Sequence, residues 1–315
     1  MRIAILGATS QIAKDLVLSF SSQNKYELVL HCRRTPVLNE WLQSVQLASR
    51  YIAADFSAFT ADEHFDAILN FVGVGDPAQA AAMGASIFDV TLQFDEMALK
   101  YVRQHPLCRY IFLSSGAAYG SSFDAPADET TKAIIAINNL QPQDWYAVAK
   151  LHAECRHRSL PHLPIVDIRV FNYFSHTQDL SARFLITDIL RAIRDKTVLT
   201  TSPGYMVRDY LHPSDFHQLV LALLTAPPAN TVVDCYSRAP IDKIGLLTAM
   251  QDKFQLQYAI TEATAGINAT GSKPHYYSLN NRAAYFGYHP SLTSAEGILL
   301  ETMKLLPHLC EVIQI

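Results

Sequence analysis

Arg2-Ile-Ala-Ile-Leu-Gly-Ala-Thr-Ser-Gln-Ile-Ala13 opens with an apolar, strand-like run that turns through Gly7 into a helix-forming stretch continuing to about Phe20. A strand feeding a helix through a tight turn suits a dinucleotide, because the turn and the first helical amides can receive a pyrophosphate. Gly7, Thr9, Ser10, Gln11 and Ile12 are the candidate contacts. A glycine-rich version would read Gly-x-x-Gly-x-x-Gly, whereas here Ser10 and Ala13 take the second and third places. Ser10 can still donate a hydrogen bond, and Ala13 is small enough for close packing. Alone, the motif is equally compatible with a plain strand-turn-helix unit, so the rest of the chain decides.

Working outward, strand-like runs recur at Arg2 to Leu6, Tyr26 to His31, Arg50 to Ala53, Ala67 to Val72, Tyr110 to Ser114 and Ile165 to Val170, with room for helices between them. This alternation predicts an α/β fold with a doubly wound parallel sheet. Sites in such sheets form at the carboxyl ends of strands, where Gly7, Arg33, Asp55, Gly73 and Ser115 fall. After Phe171 the pattern loosens and turn residues such as Pro203-Gly204 and Pro227-Pro228 enter, so the second half is expected to contribute a smaller lobe. The expected division is a cofactor domain of residues 1–170 and 207–237, and a substrate lobe of residues 171–206 and 238–315.

Tyr146 and Lys150 stand four apart, downstream of the run Tyr110-Ile-Phe-Leu-Ser-Ser-Gly-Ala-Ala-Tyr-Gly120. Together these segments supply a phenol, an ammonium and a hydroxyl, the groups needed to move a proton on or off a carbinol oxygen while hydride moves at its carbon. The spacing is common by chance in a chain with fifteen tyrosines. Its context is more telling: Trp145-Tyr-Ala-Val-Ala-Lys-Leu-His-Ala-Glu-Cys-Arg156 is rich in helix formers, which puts both side chains on one face. Lowering a phenol from ~10 to about 7 requires roughly 4 kcal/mol in favour of the phenolate. An ammonium about 4 Å away at an effective dielectric of ~20 supplies roughly that much.

At 315 residues, with 50% hydrophobic and 17% charged side chains, the chain is long and apolar enough for a sizeable core. A net charge of −4 with no basic run argues against nucleic acid and anionic membranes as partners. The five cysteines, at 32, 108, 155, 235 and 310, include no close pair and no metal-ligand spacing, which points to a reduced cytoplasmic protein without structural zinc. The chain shows no signal-peptide pattern and no apolar run of membrane-spanning length, so neither secretion nor membrane spanning is indicated.

With these residues assembled, the chain resembles, nearly end to end, the extended short-chain dehydrogenase/reductase family, particularly its nucleotide-sugar branch. Members share a Rossmann domain, a Ser/Thr-Tyr-Lys catalytic set and a small C-terminal lobe that holds the substrate. Phe112-Leu-Ser-Ser-Gly-Ala-Ala-Tyr-Gly120 matches the family's fifth-strand pattern and places the catalytic hydroxyl at Ser115, with Tyr146 and Lys150 completing the set. Arg169-Val-Phe-Asn172 matches an Arg-x-x-Asn pattern. Val207-Arg-Asp-Tyr-Leu-His-Pro-Ser-Asp215 matches an Arg-Asp-aromatic-x-His pattern whose arginine contacts the diphosphate in sugar-nucleotide members. The resemblance therefore implies substrate contacts from Ser115, Asn172 and Arg208. It also implies cofactor contacts from Asp55 and Phe56 near the adenine, from Phe71, Val72 and Gly73 on the nicotinamide side, and from Tyr146 and Lys150. Tyr285-Phe-Gly-Tyr-His-Pro290 is similar to the family's closing motif. A homodimer through the Tyr146 helix and the helix preceding Pro106 is expected from the resemblance alone.

Plainer roles compete at several positions. Arg208 and Asp209 can form a local ion pair, His212 reads better as a structural histidine than as a catalyst, and Arg33 and Arg34 can be a solvated strand end. Ser114 should point away from Ser115 because neighbouring strand side chains face opposite ways. Cofactor choice turns on Leu30-His-Cys-Arg-Arg-Thr35, which offers Arg33 and no carboxylate, so NADP(H) is favoured over NAD(H). Dehydratases of this branch carry an Asp-Glu pair after the hydroxyl, where this chain has Gly116 and Ala117, and epimerase-reductases carry a cysteine at the place of Ala117. The expectation is NADPH-dependent reduction of a nucleotide-linked 4-keto, 6-deoxy hexose. The alternatives are an NAD-dependent nucleotide-sugar 4-epimerase and a non-catalytic NADP-binding module.

Overall fold

The computed structural model describes residues 1–73, 80, 82–120, 122–262 and 273–307. Its strands run in chain order β1 (Arg2–Leu6), β2 (Glu27–His31), β3 (Ala53–Ala54), β4 (Ala67–Asn70), β5 (Arg109–Ser115), β6 (Ile165–Val170), β7 (Asn172–Tyr173), β8 (Val198–Thr201), β9 (Val207–Arg208), β10 (Tyr210–Leu211), β11 (Thr231–Asp234), β12 (Ile241–Asp242), β13 (Gln257–Ile260) and β14 (His275–Tyr276). The helices used below are α1 (Gln11–Ser21), α2 (Thr35–Ser44), α3 (Ser86–Gln104), α4 (Trp145–Arg158), α5 (Leu185–Asp195), α6 (Pro213–Thr225), α7 (Lys243–Phe254) and α8 (Ser294–Leu305).

Seven strands form one sheet in the order β11-β6-β5-β4-β1-β2-β3, and every pair in it is parallel. The chain leaves β1 toward β2 and β3, then returns beside β1 with β4 and continues the other way. The strand order therefore reverses between β1 and β4, the point where doubly wound sheets open a crevice.

Side-chain alternation along β1 explains why both faces are covered. Ile3 and Ile5 pack with Leu16, Val17 and Phe20 of α1 and with Phe216, Leu219 and Leu223 of α6. Ala4 and Leu6 face the other layer, with Ala98, Leu99 and Val102 of α3 and Ala153 of α4. Off the sheet, a third apolar cluster joins Ile189, Leu190 and Ile193 of α5, Leu247 and Met250 of α7 and Ile298 of α8.

One expected strand is displaced, and one strand of the sheet was not expected. The run Arg50 to Ala53 is replaced by a two-residue strand at Ala53–Ala54, because Leu47 accepts turn bonds from Arg50 and Tyr51 at 3.0 and 3.1 Å. The seventh strand, β11, went unread because Thr231-Val-Val-Asp234 is short and follows Pro227-Pro228. Cys32, Cys108, Cys155 and Cys235 are free; Cys310 and Ser121 lie outside the described residues, as do 263–272 and 308–315 of the expected substrate lobe. No described helix is long and apolar enough to cross a membrane.

Candidate active site

The turn after β1 is held tightly between its neighbours. Gly7 and Ala8 donate to the His31 carbonyl at 2.9 and 3.1 Å. Gly7 has φ +80°, and a Cβ there would lie 2.8 Å from the Val72 nitrogen, so glycine is required both for the backbone and for close approach to the end of β4. Ser10 caps α1, its Oγ accepting from the Ala13 amide at 3.4 Å, and Ala13 is fully buried. Because α1 begins at Gln11, the Gln11 and Ile12 amides have no carbonyl four residues back within the helix. The structure thus brings Gly7 against Phe71 and Val72, across the reversal of the sheet.

At the end of β2, Arg33 and Arg34 are exposed. Arg34 also bears on Lys14 of α1, whose ammonium is pulled below its ordinary value first by burial and then by that guanidinium. Lys14 and Arg34 therefore lie within electrostatic reach of one another, with Arg33 next to Arg34 in the chain. Asp55 accepts from the Ser57 amide at 2.9 Å and caps the turn Phe56–Ala58, while the Phe56 ring packs 4.4 Å from that of Phe94.

β5 presents its last two hydroxyls to opposite sides, as expected. Ser114 donates to Glu154 at 2.5 Å in the interior. Ser115 accepts from the Ala117 amide at 3.2 Å and caps the turn Gly116–Tyr119. A Cβ on Gly116 would lie 2.4 Å from the Phe171 ring, so no side chain fits at that position as packed.

α4 carries Tyr146 in its first turn and Lys150 one turn later. Lys150 is 5% exposed; its ammonium donates to the Leu113 carbonyl at 2.7 Å, and lies 4.4 Å from the Phe112 ring and 5.8 Å from the Tyr146 ring. Burial brings this ammonium down to about 8, against the pull of Glu154, Asp167 and Asp95. The sequence led us to expect the ammonium to lower the Tyr146 phenol. Instead burial raises that phenol, with nearby Ser115 opposing the rise. The physical reason is that Lys150 is turned toward a carbonyl and an aromatic face, and is itself desolvated. Gly73 faces it: a Cβ there would come 3.5 Å from Lys150 Nζ.

Behind α4 lies a buried charge network. His157 bridges Asp167 at 2.6 Å and Asp95 at 2.7 Å, and Arg156 and Arg158 pair with the same two carboxylates at 2.6 and 2.7 Å. Tyr110 donates to Asp95 and Asn70 donates to Tyr110, both at 2.9 Å.

The third part of the site comes from β7, β9 and β14. Arg208 makes no ion pair with Asp209: its Nη1 donates to the Val207 and Lys273 carbonyls at 2.8 and 2.7 Å. Asp209 instead accepts from Ser237 and Ser294. Asn172 donates to the carbonyls of Asp209 and Tyr276, at 3.3 and 3.4 Å, so it fastens β7 to β14 rather than aiming its amide nitrogen at open space. His212 has a structural place, bonded to Ser214 and Glu301.

Two residues went unseen in the sequence. Tyr276 brings its hydroxyl within 3.4 Å of Ser115 Oγ. Lys273 lies 4.7 Å from the Tyr276 ring, its ammonium brought down to about 8 by burial and by neighbouring Arg208. The signal available was the pairing of basic and aromatic residues in Lys273-Pro-His-Tyr-Tyr277, which is weak without knowing that β14 pairs with β9 at Tyr276 and Arg208.

The family described as NAD dependent epimerase/dehydratase matches residues 3–235. No curated protein matches the sequence. Among solved structures, UDP-N-acetylglucosamine 4-epimerase of Methanobrevibacter ruminantium M1, in complex with UDP-N-acetylmuramic acid, is 16% identical with a TM-score of 0.80, covering 98% of each chain. UDP-glucuronic acid 4-epimerase of Bacillus cereus, with UDP-glucuronic acid and NAD, is 16% identical with a TM-score of 0.76, covering 98% of this chain and 100% of that one. dTDP-glucose 4,6-dehydratase of Bacillus anthracis, with NAD, is also 16% identical at a TM-score of 0.76, covering 98% and 97%. At these identities the likeness speaks for the fold.

Proposed function

The chain belongs to the NAD-dependent epimerase/dehydratase family, and from that premise we propose that it oxidises and re-reduces C4 of a nucleotide-linked hexose, a 4-epimerase reaction. The observation that carries the reading is the meeting of Ser115, Tyr146 and Lys150 at the carboxyl end of β5, with Gly116 and Ala117 in place of an Asp-Glu pair after the hydroxyl. An elimination of water needs a proton donor near the hydroxyl, and Phe171 fills the space where a side chain at position 116 would stand.

The residues present fit a dinucleotide. Glycines at positions 7 and 73 keep open two surfaces that a Cβ would fill, one against β4 and one before Lys150. Gly7, Thr9, Ser10, Gln11 and Ile12 would hold the pyrophosphate, Asp55 and Phe56 the adenosine end, and Phe71, Val72, Gly73 and Lys150 the nicotinamide riboside. When bound, the nicotinamide supplies hydride transfer. The proton chemistry falls to the chain: Tyr146, entering as phenolate, takes the proton of the C4 hydroxyl and as phenol returns it, Ser115 holds the oxygen, and Lys150 supplies a buried positive charge that offsets the phenolate. Epimerisation also requires the keto sugar to turn over while its nucleotide stays anchored. Arg208 and Lys273, beyond Tyr276, are suited to a diphosphate.

The sequence ranked net reduction first; the 4-epimerase names and bound NAD of the structural relatives favour epimerisation. NADPH-dependent reduction of a 4-keto sugar stays as the second reading because Lys14 lies within electrostatic reach of Arg34, Arg33 is exposed beside it, and the chain has no carboxylate at the end of β2. We further assign the homodimer to the outer faces of α3 and α4, and the two-domain division to the boundaries read from the sequence. One assay separates the readings: incubation with UDP- and dTDP-hexoses and their 4-keto forms. Interconversion of two 4-hydroxy sugars without net cofactor use supports the epimerase, and one NADPH consumed per product supports the reductase. Cofactor binding without turnover on either set would leave the non-catalytic module.

A further inference from the structure

Ser115 has a hydroxyl with one proton to donate and two lone pairs. One lone pair accepts from the Ala117 amide at 3.2 Å. The Tyr276 hydroxyl lies 3.4 Å from the same oxygen. That is long for an O–H···O contact, as hydrogen bonds in catalytic sites often are before the reacting complex forms.

Tyr276 is firmly held. Its backbone pairs with Arg208 through β14 and β9, and its carbonyl accepts from Asn172 at 3.4 Å. Its ring packs edge-on to Phe123 at 4.8 Å and against Phe171 at 5.2 Å, with Lys273 over it at 4.7 Å. Burial pushes its phenol up, Ser115 opposing and Tyr146 adding to the rise, so Tyr276 keeps its proton and is able to donate; by geometry either oxygen can be the donor in its contact with Ser115.

We propose that Tyr276 is a positioning residue for the C4 chemistry: by donating to Ser115 it fills that hydroxyl's second lone pair and leaves Ser115 able only to donate to the sugar oxygen. This rests on the functional reading above and deepens it. With a free lone pair, Ser115 would compete with Tyr146 for the C4 hydroxyl's proton. With both lone pairs taken, that proton has Tyr146 as its acceptor, and the keto oxygen of the intermediate always meets a donor at Ser115. The site then works in either direction without reorienting Ser115, as a reaction that oxidises and re-reduces one carbon requires.

Tyr276→Phe keeps the ring and its packing and removes the hydroxyl alone. On a UDP- or dTDP-hexose that the wild type turns over, kcat should fall about tenfold, the loss expected for one net hydrogen bond, while KM and melting temperature hold. In a Ser115→Ala background the same change should cost nothing further, since the phenol acts through that hydroxyl. Wild-type kcat in Tyr276→Phe, an equal loss in both backgrounds, or a rise confined to KM overturns the proposal while the functional reading stands. Absence of wild-type turnover on every such hexose overturns the functional reading, and the proposal with it.

Discussion

Lys150 donates a 2.7 Å hydrogen bond to the carbonyl of Leu113, two residues before Ser115 in β5. The ammonium ties α4 to the strand that presents the hydroxyl, and so sets the spacing of all three candidate catalytic groups. Its other side faces the Phe112 ring, so the charge is held by one carbonyl and one aromatic face in a desolvated place.

That setting predicts a stability signature for Lys150→Met. The ammonium titrates at about 8 in the fold against an ordinary 10.5, so the buried charge opposes folding by roughly 3 kcal/mol. The sign follows: the cost is full below pH 8 and disappears as pH rises to 10.5. The stability of Lys150→Met relative to wild type should therefore fall by roughly 3 kcal/mol between pH 7 and 10.5, while turnover is lost throughout. Denaturant melts at the two pH values measure it. A difference that does not change with pH would show that Lys150 is not desolvated.

Tyr146→Phe should leave fold and cofactor binding intact and lower kcat by about 10²- to 10⁴-fold, since only the proton-carrying oxygen is lost. Turnover at the wild-type rate would remove Tyr146 from the mechanism.

Arg33→Asp should weaken NADPH about tenfold or more beyond any loss of NADH, because it replaces a cation with an anion facing a 2′-phosphate. Arg34 and Lys14 remain, so binding is reduced and not abolished. Fluorescence titration of both cofactors against wild type and variant decides it; equal losses would return Arg33 to a solvated strand end and strengthen the NAD-dependent reading.

His157→Gln addresses the buried network. Burial lowers this imidazole, but Asp167 and Asp95 override that effect and raise it to about 9 from an ordinary 6.5. A raised value stabilises the fold fully below pH 6.5, and the stabilisation is lost as pH rises through 9, amounting to roughly 3 kcal/mol. Wild type should lose its advantage over the variant between pH 6 and pH 10. Parallel pH curves for the two proteins would mean His157 is buried uncharged.

By itself the sequence determined the strand-turn-helix at Arg2 to Ala13, the strands β5 and β6 and the helix bearing Tyr146 and Lys150, because each is written in local terms: apolar runs, a glycine turn, an i,i+4 spacing. It also determined that Ser114 and Ser115 would part, since strand side chains alternate. What only the tertiary structure decided are the relations that depend on which segments meet. Lys150 faces Leu113 instead of chiefly serving Tyr146, because helix–strand packing sets that distance. Gly116 is closed by Phe171, and Arg208 turns from Asp209 to the carbonyls of Val207 and Lys273. Tyr276 reaches Ser115 across 161 positions of chain. No local pattern encodes such a contact, because it arises from the pairing of β14 with β9, and the free energy that fixes it belongs to the packed whole.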